Sequence, residues 1–309
     1  MELSKASIAV TGATGFLGGY LVHRLRARGA RVIAVVRDRE KAHRLLPPDV
    51  EVRLASLDDP TRLAAAFAGA DAVISNAAVI SFRTPSATLR TNVEGTRNVF
   101  EALVRQGVQR AVAISSSAAY PLSYRNIDER TPLQPLRRAW FGNAYGQSKA
   151  ESERIAWQLA DRANVALTTF RPCGITGPAD PLLMANIERA LSARFAVLPA
   201  FTTIGVVHAE DVAEAVALAL EQPATASGKA YNLQGETITL WQLASAWRAA
   251  GGRAPRLRLP VPLPLALRYD DALVRSELGW RSRSLSSIVE EAVRVRPELL
   301  RASGDAAHS

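Results

Sequence analysis

The chain has a single cysteine, Cys173, and only four histidines in 309 residues. One cysteine cannot form an internal disulfide, and the scattered histidines lack the spacing of metal ligands. No stretch approaches the run of about 18 apolar residues that a transmembrane helix needs, and the opening MELSKASIAV lacks the features of a signal peptide. We therefore expect a soluble, cytoplasmic protein without a disulfide, a metal or a membrane partner.

Lysine is also scarce, because 4 lysines stand against 34 arginines, with a net charge of +9. The arginines are spread among acidic and apolar residues, and they do not form a basic patch interleaved with aromatic side chains. We therefore expect no nucleic-acid partner. Hydrophobic residues are abundant at 48% of the chain, which is ample for a large core.

From residue 5 to about residue 170, short β-branched runs alternate with longer helical patterns. Continuous apolar strands in this rhythm predict an α/β fold with a doubly wound parallel sheet. After Pro172 the rhythm breaks into proline-rich turns, a helix near DPLLMANIERALSARF, a short strand GVVH and a helix from Asp211 to Glu221. We predict a core with the catalytic residues over 1–172 and mainly a smaller substrate-binding lobe over 173–309, with some segments returning to the core.

A glycine-rich segment, TGATGFLGGYLVHRL, follows the first predicted strand and places Gly12, Gly15 and Gly18 three residues apart. Glycine permits a tight turn and lets backbone amides approach a pyrophosphate at a helix N-terminus, where the helix dipole favours negative charge. Between a strand and a helix, this spacing predicts the dinucleotide-binding loop of a Rossmann-type fold.

The second strand ends in the sequence VVRDRE, where the adenosine ribose of a dinucleotide would lie. An arginine there can pair with the 2′-phosphate of NADP, whereas an acid would bind the 2′-hydroxyl of NAD. Arg37 comes first and favours NADP(H). If the strand ends one residue later, Asp38 takes the ribose position and NAD(H) is preferred.

The segment AYGQSK places Tyr145 and Lys149 on one face of a helix that Asn143 can cap. A free tyrosine has a pKa near 10, and a fixed ammonium one turn away stabilises its phenolate. Serines 115–117 end the fifth predicted strand, where open α/β sheets bind ligands. This pattern predicts proton transfer to or from a substrate oxygen, the alternative being a solvated Tyr–Lys contact.

In this order, TGATGFLGG, SSS, YGQSK, RPCGITGP and VVHAEDVAEA make the chain resemble the extended short-chain dehydrogenases/reductases, the NAD(P)-dependent epimerase/dehydratase-like family. The resemblance implies that Ser117, with Ser116 as the alternate, holds the substrate oxygen while Tyr145 exchanges its proton. It implies that Lys149 lowers the pKa of that tyrosine and binds the nicotinamide ribose. Asn92 matches the asparagine that organises the site in this family, although it could equally cap a helix.

Further positions follow from the same resemblance. Arg171 and Gly177 should border the nicotinamide and substrate pocket, and Ser56 stands where an aspartate commonly touches adenine. His208 should anchor the lobe rather than act as a base. The full set of expected cofactor-binding residues is Gly12, Thr14, Gly15, Phe16, Leu17, Gly18, Arg37, Leu57, Asn76, Ala77, Ala78, Tyr145, Lys149 and Pro172.

Departures from the family pattern indicate the substrate. Ala118 and Ala119 follow the serines where dehydratases carry an Asp-Glu pair, and LPAFTTIGVVH lacks the arginine that epimerases use for a diphosphate. We therefore expect a ketoreductase or hydroxysteroid-dehydrogenase-like enzyme acting on an apolar ketone or alcohol. Sugar-nucleotide epimerisation is the alternative, since Arg189, Arg194 or Arg268 could reach a phosphate. A non-catalytic NAD(P)-binding regulatory protein is the second alternative. Relatives also suggest a homodimer through helices near 86–107 and 143–162.

Overall fold

The computed structural model describes residues 1–79, 85–123, 126–136, 144–178, 180, 195–199, 203–249, 257–261 and 267–294. The strands are β1 (Ser7–Thr11), β2 (Arg31–Val36), β3 (Glu51–Leu54), β4 (Ala72–Ser75), β5 (Arg110–Ile114), β6 (Ala166–Pro172), β7 (Gly174–Thr176), β8 (Phe195–Pro199), β9 (Thr203–His208), β10 (Lys229–Leu233), β11 (Glu236–Thr239) and β12 (Leu257–Val261).

The helices are α1 (Phe16–Ala27), α2 (Arg39–Leu45), α3 (Pro60–Phe67), α4 (Pro85–Arg105), α5 (Ala144–Arg162), α6 (Ala209–Glu221), α7 (Pro223–Ala226), α8 (Leu240–Ala249), α9 (Ala272–Leu278) and α10 (Leu285–Arg294). Short 3₁₀ turns cover Leu3–Lys5 and Ser117–Ala119.

Seven parallel strands form the central sheet in the order β3-β2-β1-β4-β5-β6-β10. The strand order reverses at β1, which pairs with β2 on one side and with β4 on the other. In open α/β sheets, ligands bind at the carboxyl ends of the strands beside such a reversal. The predicted Rossmann-type doubly wound sheet is therefore confirmed.

Both faces of this sheet are buried, which explains why its strands read as continuous apolar runs. Along β1, Ile8 and Val10 pack into a core with Leu21 of α1 and Val216 of α6. Ala9 points to the opposite core, which includes Phe100 of α4. Helices α4 and α5 pack against each other on that second face. The homodimer expected through these two helices stays a prediction.

The chain after Pro172 contributes to more than one sheet. Strand β10 pairs with β6 at the edge of the central sheet. Strands β7, β9 and β11 form a three-stranded sheet, and β8 pairs with β12. The helix expected near 180–195 lies mostly outside the described residues, and the substrate-binding role of 173–309 stays a prediction.

Candidate active site

A cleft of about 1140 Å³ opens at the carboxyl ends of β1, β2, β4 and β5. Thirteen of the fourteen residues expected to bind the cofactor line it, Gly18 being the exception. The lining residues of that set are Gly12, Thr14, Gly15, Phe16, Leu17, Arg37, Leu57, Asn76, Ala77, Ala78, Tyr145, Lys149 and Pro172.

The glycine loop is built so that no side chain fits at two of its positions. Gly12 has a φ of +66°, and a Cβ there would lie 2.9 Å from the Cα of Ala77. A Cβ on Gly18 would lie 2.1 Å from the Gly12 carbonyl oxygen, so Gly18 packs the helix against the loop. Gly15 precedes α1 and supplies no capping side chain, which leaves N–H groups of the first turn for a ligand. A pyrophosphate fits this helix end.

Thr11 ties the ends of β1 and β4 together beneath the cleft. Its Oγ1 accepts hydrogen bonds from the backbone N–H groups of Asn76 (3.0 Å) and Ala77 (3.1 Å) and donates to the Ile74 carbonyl (3.3 Å). Since Thr11 is buried, these bonds fix the wall that carries Ala77 and Ala78.

At the adenosine end, Arg37 lines the cleft with an exposed side chain. Lys41 and Asp58, which were not among the expected residues, line it as well. A hydrogen bond from Ser56 is the main cause of a lowered pKa of the Asp58 carboxyl, to which Arg37 adds. These three side chains therefore bring two cations and one anion to this end of the cleft.

Helix α4 forms the opposite wall of the adenosine end. Asn98 Nδ2 donates a 2.7 Å hydrogen bond to the Leu57 carbonyl. A Cβ on Gly95 would lie 2.9 Å from Leu57 Cδ1, so the absence of a side chain at Gly95 leaves room for Leu57 in its present position. No feature of the sequence pattern distinguished Gly95 and Asn98 from the rest of a long helix.

Tyr145 and Lys149 lie one turn apart on α5 and both line the cleft. The Lys149 side chain is buried, and its Nζ donates a 2.9 Å hydrogen bond to the Ile114 carbonyl. Burial lowers the pKa of Lys149 to about 8, which the Glu153 carboxylate opposes. Burial raises the pKa of Tyr145, and a hydrogen bond from Ser116 acts in the other direction.

The serine in contact with Tyr145 is therefore Ser116, the expected alternate, and not Ser117. Ser117 is buried at the start of a 3₁₀ turn and hydrogen-bonds to the Tyr269 phenol. Both serines line the cleft. The turn explains the difference: Ala119 and Tyr120 donate backbone hydrogen bonds to the carbonyls of residues 116 and 117, and this tight winding rotates consecutive side chains to different neighbours.

Asn92 does not line the cleft and lies inside α4 rather than at its start. Its Oδ1 accepts from the Val79 N–H (2.7 Å), and its Nδ2 donates to the Val79 carbonyl (3.0 Å) and to Ser148 Oγ (2.9 Å). Asn92 thus joins the cleft wall at Val79 to α5, and it does not cap a helix.

Neither Arg171 nor His208 lines the cleft. Arg171 is buried in an ion pair with Glu153, so the expectation that it borders the nicotinamide is wrong. His208 is fully buried, its Nδ1 accepts from the Glu210 N–H (3.1 Å), and burial lowers its pKa to about 4. Asp211 instead binds Arg283. A neutral, enclosed histidine matches the anchoring role.

The model of the NAD dependent epimerase/dehydratase family matches residues 8–233, which is most of the chain. The chain belongs to this family, within the extended short-chain dehydrogenases/reductases, and it is an NAD(P)-dependent enzyme. It is 30% identical to the 4-hydroxy-2-methyl-3-oxo-4-farnesyl-3,4-dihydroquinoline-1-oxide ketoreductase of Stigmatella aurantiaca, over 89% of this chain and 91% of that protein. It is 28% identical to tetraketide alpha-pyrone reductase 1 of Arabidopsis thaliana, over 95% and 96% of the two chains.

Solved structures give the same fold. A UDP-glucose-4-epimerase of Stenotrophomonas maltophila, with bound NAD, superimposes with a TM-score of 0.82 at 22% identity, over 97% of this chain and 99% of that one. A short-chain dehydrogenase/reductase superfamily protein of Agrobacterium tumefaciens, also with bound NAD, gives 0.78 at 22% identity, over 98% and 100%.

Within the described residues, no helix has the length and apolar character to cross a membrane. The same part of the chain holds no group of three or more His, Cys, Asp or Glu side chains arranged for a metal ion. Cys173 is a free, buried thiol on the cleft wall.

Proposed function

We propose that this enzyme is an NADP(H)-dependent ketoreductase, similar to hydroxysteroid dehydrogenases, that acts on a largely apolar small molecule. The observation that carries the proposal is that Tyr145, Ser116 and Lys149 line the same cleft as the glycine loop, with Ser116 in contact with Tyr145. A non-catalytic nucleotide-binding protein would have no need to keep these three side chains together.

The cofactor would rest on the glycine loop, with its pyrophosphate at the N-terminus of α1. Arg37 and Lys41 would face the 2′-phosphate, which favours NADP(H) over NAD(H). Lys149 would bind the nicotinamide ribose. When bound, the reduced cofactor supplies a hydride to the substrate carbonyl.

Tyr145 would donate the proton that the reduced oxygen needs. Because burial raises the pKa of its phenol, Tyr145 holds its proton at neutral pH, which suits reduction. Ser116 would hydrogen-bond the carbonyl oxygen, and the ammonium of Lys149 would stabilise the phenolate that remains.

An apolar substrate is supported by Ala118, Pro172, Cys173 and Ile175, which line the cleft beside the catalytic residues, although the Asp180 carboxyl lines the cleft as well. The Stigmatella aurantiaca relative is named for a farnesylated ketone, and a 29% identical Mycobacterium tuberculosis relative is named as a 3 beta-hydroxysteroid dehydrogenase/Delta 5-->4-isomerase, over 82% of this chain and 72% of that protein. The UDP-glucose-4-epimerase above shares the fold at 22% identity, and that likeness does not favour a sugar nucleotide.

A screen of aromatic, terpenoid and steroidal ketones with NADPH and NADH tests the proposal, with the absorbance of the reduced nicotinamide as the readout. We expect ketone-dependent oxidation of NADPH. Saturable epimerisation of a UDP-sugar together with no activity on any ketone would contradict it.

A further inference from the structure

A buried ion pair lies directly beneath the catalytic lysine. Glu153 follows Lys149 by one turn of α5, and its side chain is fully buried. Arg171 at the end of β6 places Nη2 2.6 Å from Glu153 Oε1, and its Nε lies 3.0 and 3.1 Å from the two carboxylate oxygens. Removing one partner of such a pair would leave an uncompensated charge in the core.

The guanidinium of Arg171 is held from its other side as well. Nη1 donates to the Tyr120 hydroxyl (2.5 Å) and to the Glu129 carbonyl (3.2 Å), and the guanidinium carbon lies 5.0 Å from the centre of the Tyr120 ring. The Tyr120 hydroxyl in turn donates to Asn232 Oδ1 (2.9 Å). These contacts fix Arg171 against Glu153 and keep it out of the cleft.

Glu153 and Lys149 also line a small pocket of about 20 Å³ between α4, α5 and β5. The Lys149 ammonium donates one hydrogen bond there, to the Ile114 carbonyl. Buried ammonium groups tend to lose their proton, and a nearby carboxylate opposes that loss. Glu153 is the carboxylate that acts on Lys149 in this way.

Other polar side chains lie around Lys149 and Glu153. On α5, Tyr145 precedes Lys149 by one turn, so its phenol lies on the same face of the helix. From α4 and from the residue after β5, the neutral side chains of Asn92 and Ser115 line the small pocket. The Arg171 side of the pair meets the Tyr120 phenol, and the Glu129 carboxylate, whose pKa burial raises, accepts from the Asn232 N–H.

We propose that Glu153 and Arg171 are positioning residues for the catalytic lysine: the Glu153 carboxylate stabilises the Lys149 ammonium in its buried place, and Arg171 holds that carboxylate in position one turn from the lysine. The inference rests on the proposed function in that Lys149 serves Tyr145 and the cofactor. It assigns a role to the buried Glu153–Arg171 ion pair, neither member of which lines the cofactor cleft.

The scarcity of lysine makes a direct test possible. Protein labelled with [13Cε]lysine gives signals from only four lysines, and Lys149→Arg identifies the signal of Lys149. We expect Glu153→Gln to lower the titration midpoint of Lys149 by about one pH unit or more. Glu151→Gln, which removes a carboxylate on the same helix that pairs with Arg154, should leave that midpoint unchanged. An unmoved Lys149 midpoint in folded Glu153→Gln protein would overturn the inference.

If the unpaired Arg171 prevents Glu153→Gln protein from folding, a double variant provides the test. Glu153→Gln combined with Arg171→Met removes both buried charges, a change that cores often tolerate. We expect a lowered Lys149 midpoint here too, and an unchanged midpoint would again overturn the inference. The titration needs no substrate, so a lowered midpoint in a protein that reduces no ketone would contradict the proposed function alone.

Discussion

The carboxylate of Asp38 accepts a 2.9 Å hydrogen bond from the backbone N–H of Lys41 and so caps helix α2. This bond engages one oxygen of the acid that could have bound the ribose 2′-hydroxyl of NAD, and Asp38 does not line the cleft. Arg37 and the side chain of Lys41 do line it. One capping interaction thus turns the acid away from the adenosine end and leaves two cations there.

For cofactor choice, we predict that Arg37→Ala weakens NADPH binding by about ten- to a hundredfold and leaves NADH binding nearly unchanged, because a charge-assisted hydrogen bond to the phosphate is lost. Lys41→Ala should act in the same direction. Arg39→Ala removes an exposed cation from the first turn of α2 that does not line the cleft, and it serves as the control. If isothermal titration finds that Arg37→Ala lowers the affinity for NADPH and NADH equally, Arg37 supports the fold and does not select the 2′-phosphate.

For the serines, we predict that Ser116→Ala lowers kcat more than Ser117→Ala does. Ser116 contacts the Tyr145 hydroxyl, whereas Ser117 contacts Tyr269. Loss of a hydrogen bond to developing charge typically costs about 10² to 10³ in rate. Steady-state kinetics of both variants on one ketone test this prediction. A larger fall in kcat for Ser117→Ala would assign the binding of the substrate oxygen to Ser117.

For stability, we predict that Lys149→Met raises the free energy of unfolding at pH 7. The pKa of Lys149 is about 8 in the folded protein, below its ordinary value of 10.5. Between pH 8 and pH 10.5, the unfolded chain therefore keeps a proton on this lysine that the folded protein releases. The burial cost is therefore fully present below pH 8 and is lost as the pH rises through the window, with an upper size of about 3 kcal/mol. Urea denaturation should show a gain at pH 7 that is about four times the gain at pH 10, where the unfolded lysine is still mostly protonated, and equal gains at both would contradict the shifted pKa.

Two adjacent glycines of α1 should respond in opposite ways to alanine. Gly18→Ala places a Cβ 2.1 Å from a backbone oxygen and should cost about 1–3 kcal/mol of stability as well as cofactor binding. Gly19→Ala meets no atom within 4 Å in a helix interior and should stabilise by up to about 1 kcal/mol. Thermal denaturation of both variants tests this pair, and similar melting temperatures would show that the loop does not need Gly18.

Periodicity and glycine spacing predicted the central sheet and the loop after β1, because both depend on local patterns of residues. The course of β10 could not be predicted in the same way, since its pairing with β6 joins residues far apart in the chain. The choice between Ser116 and Ser117 depends on how one short turn winds, and the burial of Arg171 depends on a partner 18 residues away on another element. Three residues named from the sequence lie outside the described residues, namely Asn143, Arg189 and Arg194, and Arg268 is exposed.

The most direct test of the account compares wild-type protein and Tyr145→Phe on a ketone that wild-type protein reduces with NADPH. The variant keeps the ring and removes the one hydroxyl that we assign to proton transfer. We predict a fall in kcat of about 10² to 10⁴ with NADPH affinity nearly unchanged. Near wild-type turnover of Tyr145→Phe would contradict the assignment of Tyr145 as the proton donor and, with it, the proposed mechanism.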